Sequence, residues 1–312
     1  MIGGSSACRT SRDPGVRPVF PPEVVISVKE AACELPYRGG VPLSRYGADE
    51  IAARCVEEGL VAQISGSTVW RWLHHDAIRP WQHRTWVFPR APDFERKAAR
   101  VLDLYHRVWA DKPLTDDDFV VSADEKPSIQ ARIRIHESLP VGPKRTARIE
   151  HEYIRGGALT YIAAWDVHRA RVFGRCEPRS GIQPFERLVA QVMAQEPYRS
   201  ARRVFWILDN GSSHRGDPCV HRLRTVWPNV VPVHLPVHSS WLNQIEVYFS
   251  IIQRKVLTPN DFTSLDDVAD RLAAFQLRYE RTATPFAWKF TREALADLMR
   301  RLTEREPLLA AN

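Results

Sequence analysis

The 312 residues are enough for about two domains and a sizeable core. Apolar residues at 44% and charged residues at 26% exclude a disordered chain, and no apolar run long enough to span a bilayer occurs. The net charge of +7, owed mostly to arginine, favours a polyanionic partner.

The start, Met1 to Thr10, lacks the apolar core of a secretory signal. The five cysteines (Cys8, Cys33, Cys55, Cys176, Cys219) are scattered, with no C-x-x-C pair. A disulfide framework or thiolate zinc site is not expected, and a soluble protein of the reducing cytoplasm is.

Residues 1–20 are rich in Gly, Ser, Arg and Pro without periodicity and read as disordered. Three short helices follow. Their spans are Glu23 to Glu34, Ala48 to Glu58 with Gly59 as C-cap, and Ile64 to Leu73 with Ser65 as N-cap. The brief turn before the third suggests a helix-turn-helix unit over residues 21–78. Its last helix carries Ser67, Thr68 and Arg71 near the N-terminus, where such side chains reach base edges and phosphates. Val69, Trp72 and Leu73 are spaced to pack inward. Residues 79–92 hold three prolines with basic and aromatic residues and read as a linker, whose Arg79 and Arg84 can follow a DNA backbone.

A second domain is expected over residues 93–312. It opens with a helix from about Asp93 to Ala110, apolar at Ala98, Val101, Leu102, Tyr105 and Val108. Strands are predicted at Phe119–Asp124, Gly157–Asp166 and Arg169–Arg175, the last two joined by a tight turn at Val167-His168. Then come a helix at Pro184–Glu196, a strand at Arg203–Asp209, a helix at Asp217–Val226 and a strand at Val230–Leu235. Strands first, then alternating strand and helix, predict an α/β fold, a mixed sheet flanked by helices behind a small all-α domain.

Three carboxylates dominate this second domain. Asp124 and Asp209 each end an apolar run, which places them at the carboxyl edge of a sheet, where open α/β sheets hold ligands. Glu125 is the rival of Asp124, because neighbours on a strand point to opposite faces and only one can face a shared site. Glu246 borders the stripe Leu242, Ile245, Phe249, Ile252 and Val256 of a helix that Ser240 is expected to cap. Buried carboxylates are costly unless partnered, and a hard divalent cation is the usual partner. Asn210, His214, His238 and Asn243 are candidate auxiliaries. The histidines His214, His221, His234 and His238 fit no standard zinc spacing.

Asp124-Glu125-Lys126, Asp209-Asn210 and Asn243-x-x-Glu246 occur in an order, and at separations of 85 and 37 residues, that closely resemble bacterial transposases of the mariner superfamily. The resemblance is to the insertion sequence 630 group and runs from about Pro21 to Leu302. It implies a ribonuclease-H-like catalytic domain with an Asp-Asp-Glu triad, here Asp124, Asp209 and Glu246. The triad would hold two Mg²⁺ ions, for which Mn²⁺ can substitute, and would cleave and join DNA in cut-and-paste movement with insertion at TA. It further implies double-stranded DNA as partner, a homodimer assembled on that DNA, no membrane, and a bacterial, nucleoid-associated location. Relatives commonly carry two helix-turn-helix units, and this chain has room for one before Arg79. The rival readings are a metal-dependent nuclease of the same fold and a catalytically inactive, transposase-derived DNA-binding protein.

Overall fold

The computed structural model describes residues 20–82, 89 and 91–310, the last six of these as backbone only. Arg84 and the segment expected to be disordered, but for Phe20, lie outside the described residues. The chain divides into two compact units, residues 1–87 and 88–312.

In the first unit, helices α1 (Pro22–Cys33), α2 (Ala48–Glu57) and α3 (Gly66–His75) enclose a small core of Val28, Ala32, Tyr46, Ile51, Cys55, Val69 and Leu73. Each begins where its sequence provides for the orphan N–H groups of a first turn. Pro22 needs no partner at the start of α1. Glu50 reaches back to accept from the Gly47 N–H at 2.6 Å, and Ser65 Oγ accepts from the Thr68 N–H at 3.3 Å. Gly59, with φ of 70°, turns the chain after α2 in a conformation costly for other residues.

The second unit opens with α4 (Phe94–Tyr105), shorter than the predicted helix. Val108 and Trp109 continue its apolar period, but Arg107 (φ 58°) breaks the helix. Ala110 and Asp111, also at positive φ, then turn the chain into a hairpin of β1 (Val108–Trp109) and β2 (Lys112–Pro113). The main elements are β3 (Asp118–Ile133), β4 (Ile154–Asp166), β5 (Val172–Glu177), α5 (Ile182–Met193), β6 (Arg203–Leu208), α6 (Gly216–Val226) and β7 (Val230–His234). Helices α7 (Ile245–Lys255), α8 (Leu265–Glu280) and α9 (Arg292–Ala310) complete the chain.

The mixed sheet expected from the sequence is present, with strand order β5-β4-β3-β6-β7. β4 is antiparallel to both β3 and β5, whereas β3-β6 and β6-β7 are parallel. Alternation sorts each strand's side chains between two layers. Phe119, Val121 and Ala123 on β3, with Val204, Trp206 and Leu208 on β6, pack in the core that includes α5 and α6. Val120, Phe205 and Ile207 join the other core, which includes α4, α7 and α8. Asp118 and Arg203 are register partners at the far end of the β3-β6 pair, held by two bonds of 2.8 Å.

β3 does not stop at Asp124 as the sequence suggested. Its parallel pairing with β6 ends at Ser122, but its antiparallel pairing with β4 runs on to Ile133, with register shifts around Pro127 and Gln130. Asp124 therefore stands where one neighbour strand falls away and the other continues. Among the described residues, no helix is long and apolar enough to cross a membrane.

Candidate metal centre

The last β3-β6 register pair is Ser122 with Ile207, and two residues further along both chains lie Asp124 and Asp209. Each shares the parity of its strand's α7-facing residues, Val120 on one and Phe205 on the other. Parallel register and alternation thus bring two carboxylates from distant parts of the sequence side by side. Asp124, Asp209 and His214 each offer a ligand atom within 4.8 Å of the others. Glu125 has the opposite parity and accepts from Ser213 Oγ at 2.7 Å.

The loop after β6 is built around Asp209. Its Oδ1 accepts from the Gly211 N–H at 2.7 Å and bonds the Nε2 side of the His214 ring. A Cβ on Gly211 would stand 2.9 Å from that oxygen and 3.0 Å from His214 Nε2, so the close approach demands glycine. His214 is fully buried, and its Nδ1 meets Ser213 Oγ at 2.9 Å. Burial alone would lower the His214 imidazole, but Asp209 outweighs it and the ring is raised above its ordinary value. Burial would likewise raise Asp209, but His214 and the Gly211 N–H hold it below the usual carboxylate range. The two shifts describe one ion pair.

Asp124 makes no ion pair among the described residues, and nearby His214 only partly offsets its burial. Burial, with Asp209 and Glu246 adding repulsion, pushes its carboxyl up to about 7. Its Oδ1 accepts from the Glu125 N–H at 2.7 Å and its Oδ2 from Asn243 Nδ2 at 3.3 Å. Glu246 lies one residue into α7, half-buried and outside the tight group of three. Its carboxyl is also raised, chiefly by burial, with Lys126 opposing and Asp209 adding.

The start of α7 differs from expectation. Ser240 begins a single 3₁₀ turn, Ser240–Leu242, and Asn243 is extended; the helix itself starts at Ile245. Its cap comes from other elements. Ser122 Oγ accepts from the Ile245 N–H at 3.1 Å, and the Tyr105 hydroxyl accepts from the Gln244 N–H at 3.3 Å while donating to Leu242 O at 2.6 Å. Ser122 also donates to Asn243 Oδ1, and Asn243 Nδ2 donates to Ala123 O at 3.1 Å. This buried network ties the strand bearing Asp124 to the helix bearing Glu246. Asn243 was singled out in the sequence; Ser122 and Tyr105 were not, for each looks like an ordinary core residue.

Among the other sequence candidates, Asn210 donates to Leu235 O at 2.8 Å, and His238 is exposed at φ of 59°. Ser65, Ser67, Thr68 and Arg71 sit together at the start of α3 and line a cavity of about 440 Å³ with Phe20, Val25 and Trp72. Arg71 bonds Ser67 O and Thr68 Oγ1 there, at 3.3 and 3.1 Å. Arg79 is exposed.

Two convergent carboxylates, a third on a facing helix and an acidic group driven up by burial and by its neighbours are what a divalent cation relieves. Residues 120–269 match the sequence model of the DDE superfamily endonucleases. The match spans the sheet, the metal-centre residues and α7. No curated protein matches the chain. Among solved structures, the Mos1 mariner paired end complex with Mg is 14% identical, covers 95% of this chain and 82% of its own, and has a TM-score of 0.50. The Mos1 strand transfer complex is 15% identical, with coverages of 94% and 79% and a TM-score of 0.48. The likeness is one of fold: a ribonuclease-H-like DDE sheet behind an all-helical N-terminal region.

Proposed function

We propose that the chain is a transposase of the insertion sequence 630 group, which cuts and joins DNA with Asp124, Asp209 and Glu246 as the metal-binding triad. The observation that carries this reading is the register of β3 on β6. It sets Asp124 beside Asp209 on the face where α7 carries Glu246.

The residues fit hard divalent cations. The donors are carboxylate oxygens, and burial, with repulsion from Asp209 and Glu246, holds Asp124 near 7. When bound, two Mg²⁺ ions, or Mn²⁺ in their place, supply an activated oxygen nucleophile and stabilise the leaving 3′ oxygen. The protein's own part is positioning. Asp124 gives up its proton on loading, with its oxygens oriented by the Glu125 N–H and Asn243. Asp209 is held by His214 and Gly211. Glu246 is carried in by the helix that Ser122 and Tyr105 cap.

In this reading residues 21–78 bind DNA through Ser65, Ser67, Thr68 and Arg71, with Arg79 and Arg84 following the backbone. The partner is double-stranded DNA, both element ends and target, bound by a homodimer in the bacterial nucleoid. The matched family's description as endonucleases keeps a second reading, hydrolysis without joining. One experiment separates them: DNA bearing the element's own ends is incubated with the chain in Mg²⁺ and in EDTA. A transposase gives cleaved ends and joined products in Mg²⁺ alone; a nuclease gives cleavage without joining; an inactive DNA-binding protein gives neither.

A further inference from the structure

Beyond the metal centre, on the side of β6 away from Asp124, the sheet ends at β7 and a cavity of about 530 Å³ opens there. Lys97 and Arg100 reach it from α4, one helical turn apart. Arg215 reaches it from the loop ahead of α6, and Asn210, the residue after Asp209, forms part of its wall. Three cations from two distant stretches of sequence face a single carboxylate, Asp217.

The cations are sparsely partnered. Lys97 pairs with Asp93 at 2.8 Å, whereas Arg100 and Arg215 make no ion pair among the described residues. The Arg100 guanidinium lies 5.6 Å above the Trp109 ring, which orients it without neutralising it. Arg100 also faces a neighbouring cavity of about 290 Å³, where Arg96 and Arg292 are balanced by Asp103 and Asp111. No side chain caps α6, so its first N–H groups add to the positive potential at Arg215.

Like charges gathered on one concave wall repel until an anion sits between them. The group that suits two guanidiniums and an ammonium is a phosphate, and a row of such cations suits a chain of phosphates. We propose that this cavity forms a phosphate-binding track for a DNA backbone. The track would be separate from the helix-turn-helix surface and would steady the strand that enters the metal centre past Asn210. This rests on the reading that the chain acts on DNA.

The test uses the full chain. Binding to duplex DNA is followed by fluorescence anisotropy from 50 to 200 mM salt for wild type, Arg215→Ala, the double variant Arg100→Ala/Arg215→Ala, and the double lysine variant. Each phosphate contact contributes about 0.9 to the slope of log K against log salt. Losing two contacts should lower the slope by about 1.8 on specific and scrambled DNA alike, making the affinity lost across that salt range about tenfold smaller. Arg215→Ala should show half the change in slope, and the lysine variant should keep most of the wild-type slope. Wild-type slopes in both alanine variants would overturn the proposal while leaving the functional reading intact. No DNA binding by the wild type would overturn both. Inorganic phosphate is the control for a small-anion site. If it raises the melting temperature of the wild type but not of the double variant, and the DNA slopes are equal, the cavity binds a free phosphate and the DNA assignment is wrong.

Discussion

Replacing Asn243 by Ala is the sharpest probe of the network that joins the sheet to α7. The side chain is 1% exposed, and its carboxamide serves three groups: Ser122 Oγ, Ala123 O and Asp124 Oδ2. Truncation leaves all three short of a partner, with Ser122 itself fully buried. Neutral buried groups left unsatisfied cost about 1–3 kcal/mol each, and hydrogen bonds to charged groups are worth about 1.5–3. Partial relaxation brings the expected total to about 3–5 kcal/mol, or roughly 10 °C in melting temperature for a unit of this size. The same change frees Asp124 Oδ2 to rotate. Loss of a partner that orients a metal ligand typically lowers metal affinity about 10–100-fold. Urea unfolding in EDTA measures the first effect, and Mn²⁺ titration by electron paramagnetic resonance the second. Asn243→Asp keeps an acceptor for Ser122 but sets a carboxylate against Asp124, so it should lose metal affinity too. An Asn243→Ala protein that unfolds within 1 kcal/mol of wild type and binds Mn²⁺ as tightly would refute this account of the network.

Three further outcomes are expected. Asp124 binds its proton more tightly folded than unfolded, so its contribution to stability is full below about pH 4 and lost as pH rises to about 7. Melting of the metal-free chain should therefore show a loss between those pH values that Asp124→Asn reduces and that Mg²⁺ at pH 8 reverses; identical pH profiles for variant and wild type would contradict the shift. Asp209→Ala should abolish DNA cleavage while retaining nearly all DNA affinity, and a variant that cuts at the wild-type rate would exclude Asp209 from the chemistry. Arg71→Ala should cost about 1–3 kcal/mol of DNA binding if Arg71 reads a base, measured by titration on specific and scrambled duplexes. Unchanged affinity would move recognition away from α3.

Much of the sheet in the second unit is legible because its signals are local. Apolar runs ending in Asp124 and Asp209 marked two strands, and strict alternation decided which residues share a layer. Ser65 before α3 and Gly59 after α2 are read from single positions for the same reason. The errors arose where distant partners decide. Nothing near Ser240 reveals that α7 is capped by Ser122 and Tyr105, more than 100 residues earlier, so the helix starts one turn later than its local signals indicate. Val108 and Trp109 keep helical spacing, but the chain turns at Arg107 and packs Trp109 4.8 Å from the Phe205 ring. β3 outlasts Asp124 because β4 continues beside it, a pairing that the apolar pattern of β3 alone does not disclose. His214 stood out as an auxiliary, yet its closeness to both carboxylates follows from the tight turn at Gly211.

Asp124, Asp209 and Glu246 are expected to hold divalent cations together. Anomalous diffraction from crystals soaked in Mn²⁺ tests this most directly. Two peaks are expected, each within about 2.0–2.3 Å of carboxylate oxygens, one shared by Asp124 and Asp209 and the other drawing on Glu246. A single peak ligated by Asp124, Asp209 and His214, with Glu246 unengaged, would contradict the triad, and no peak at all would contradict the metal centre itself.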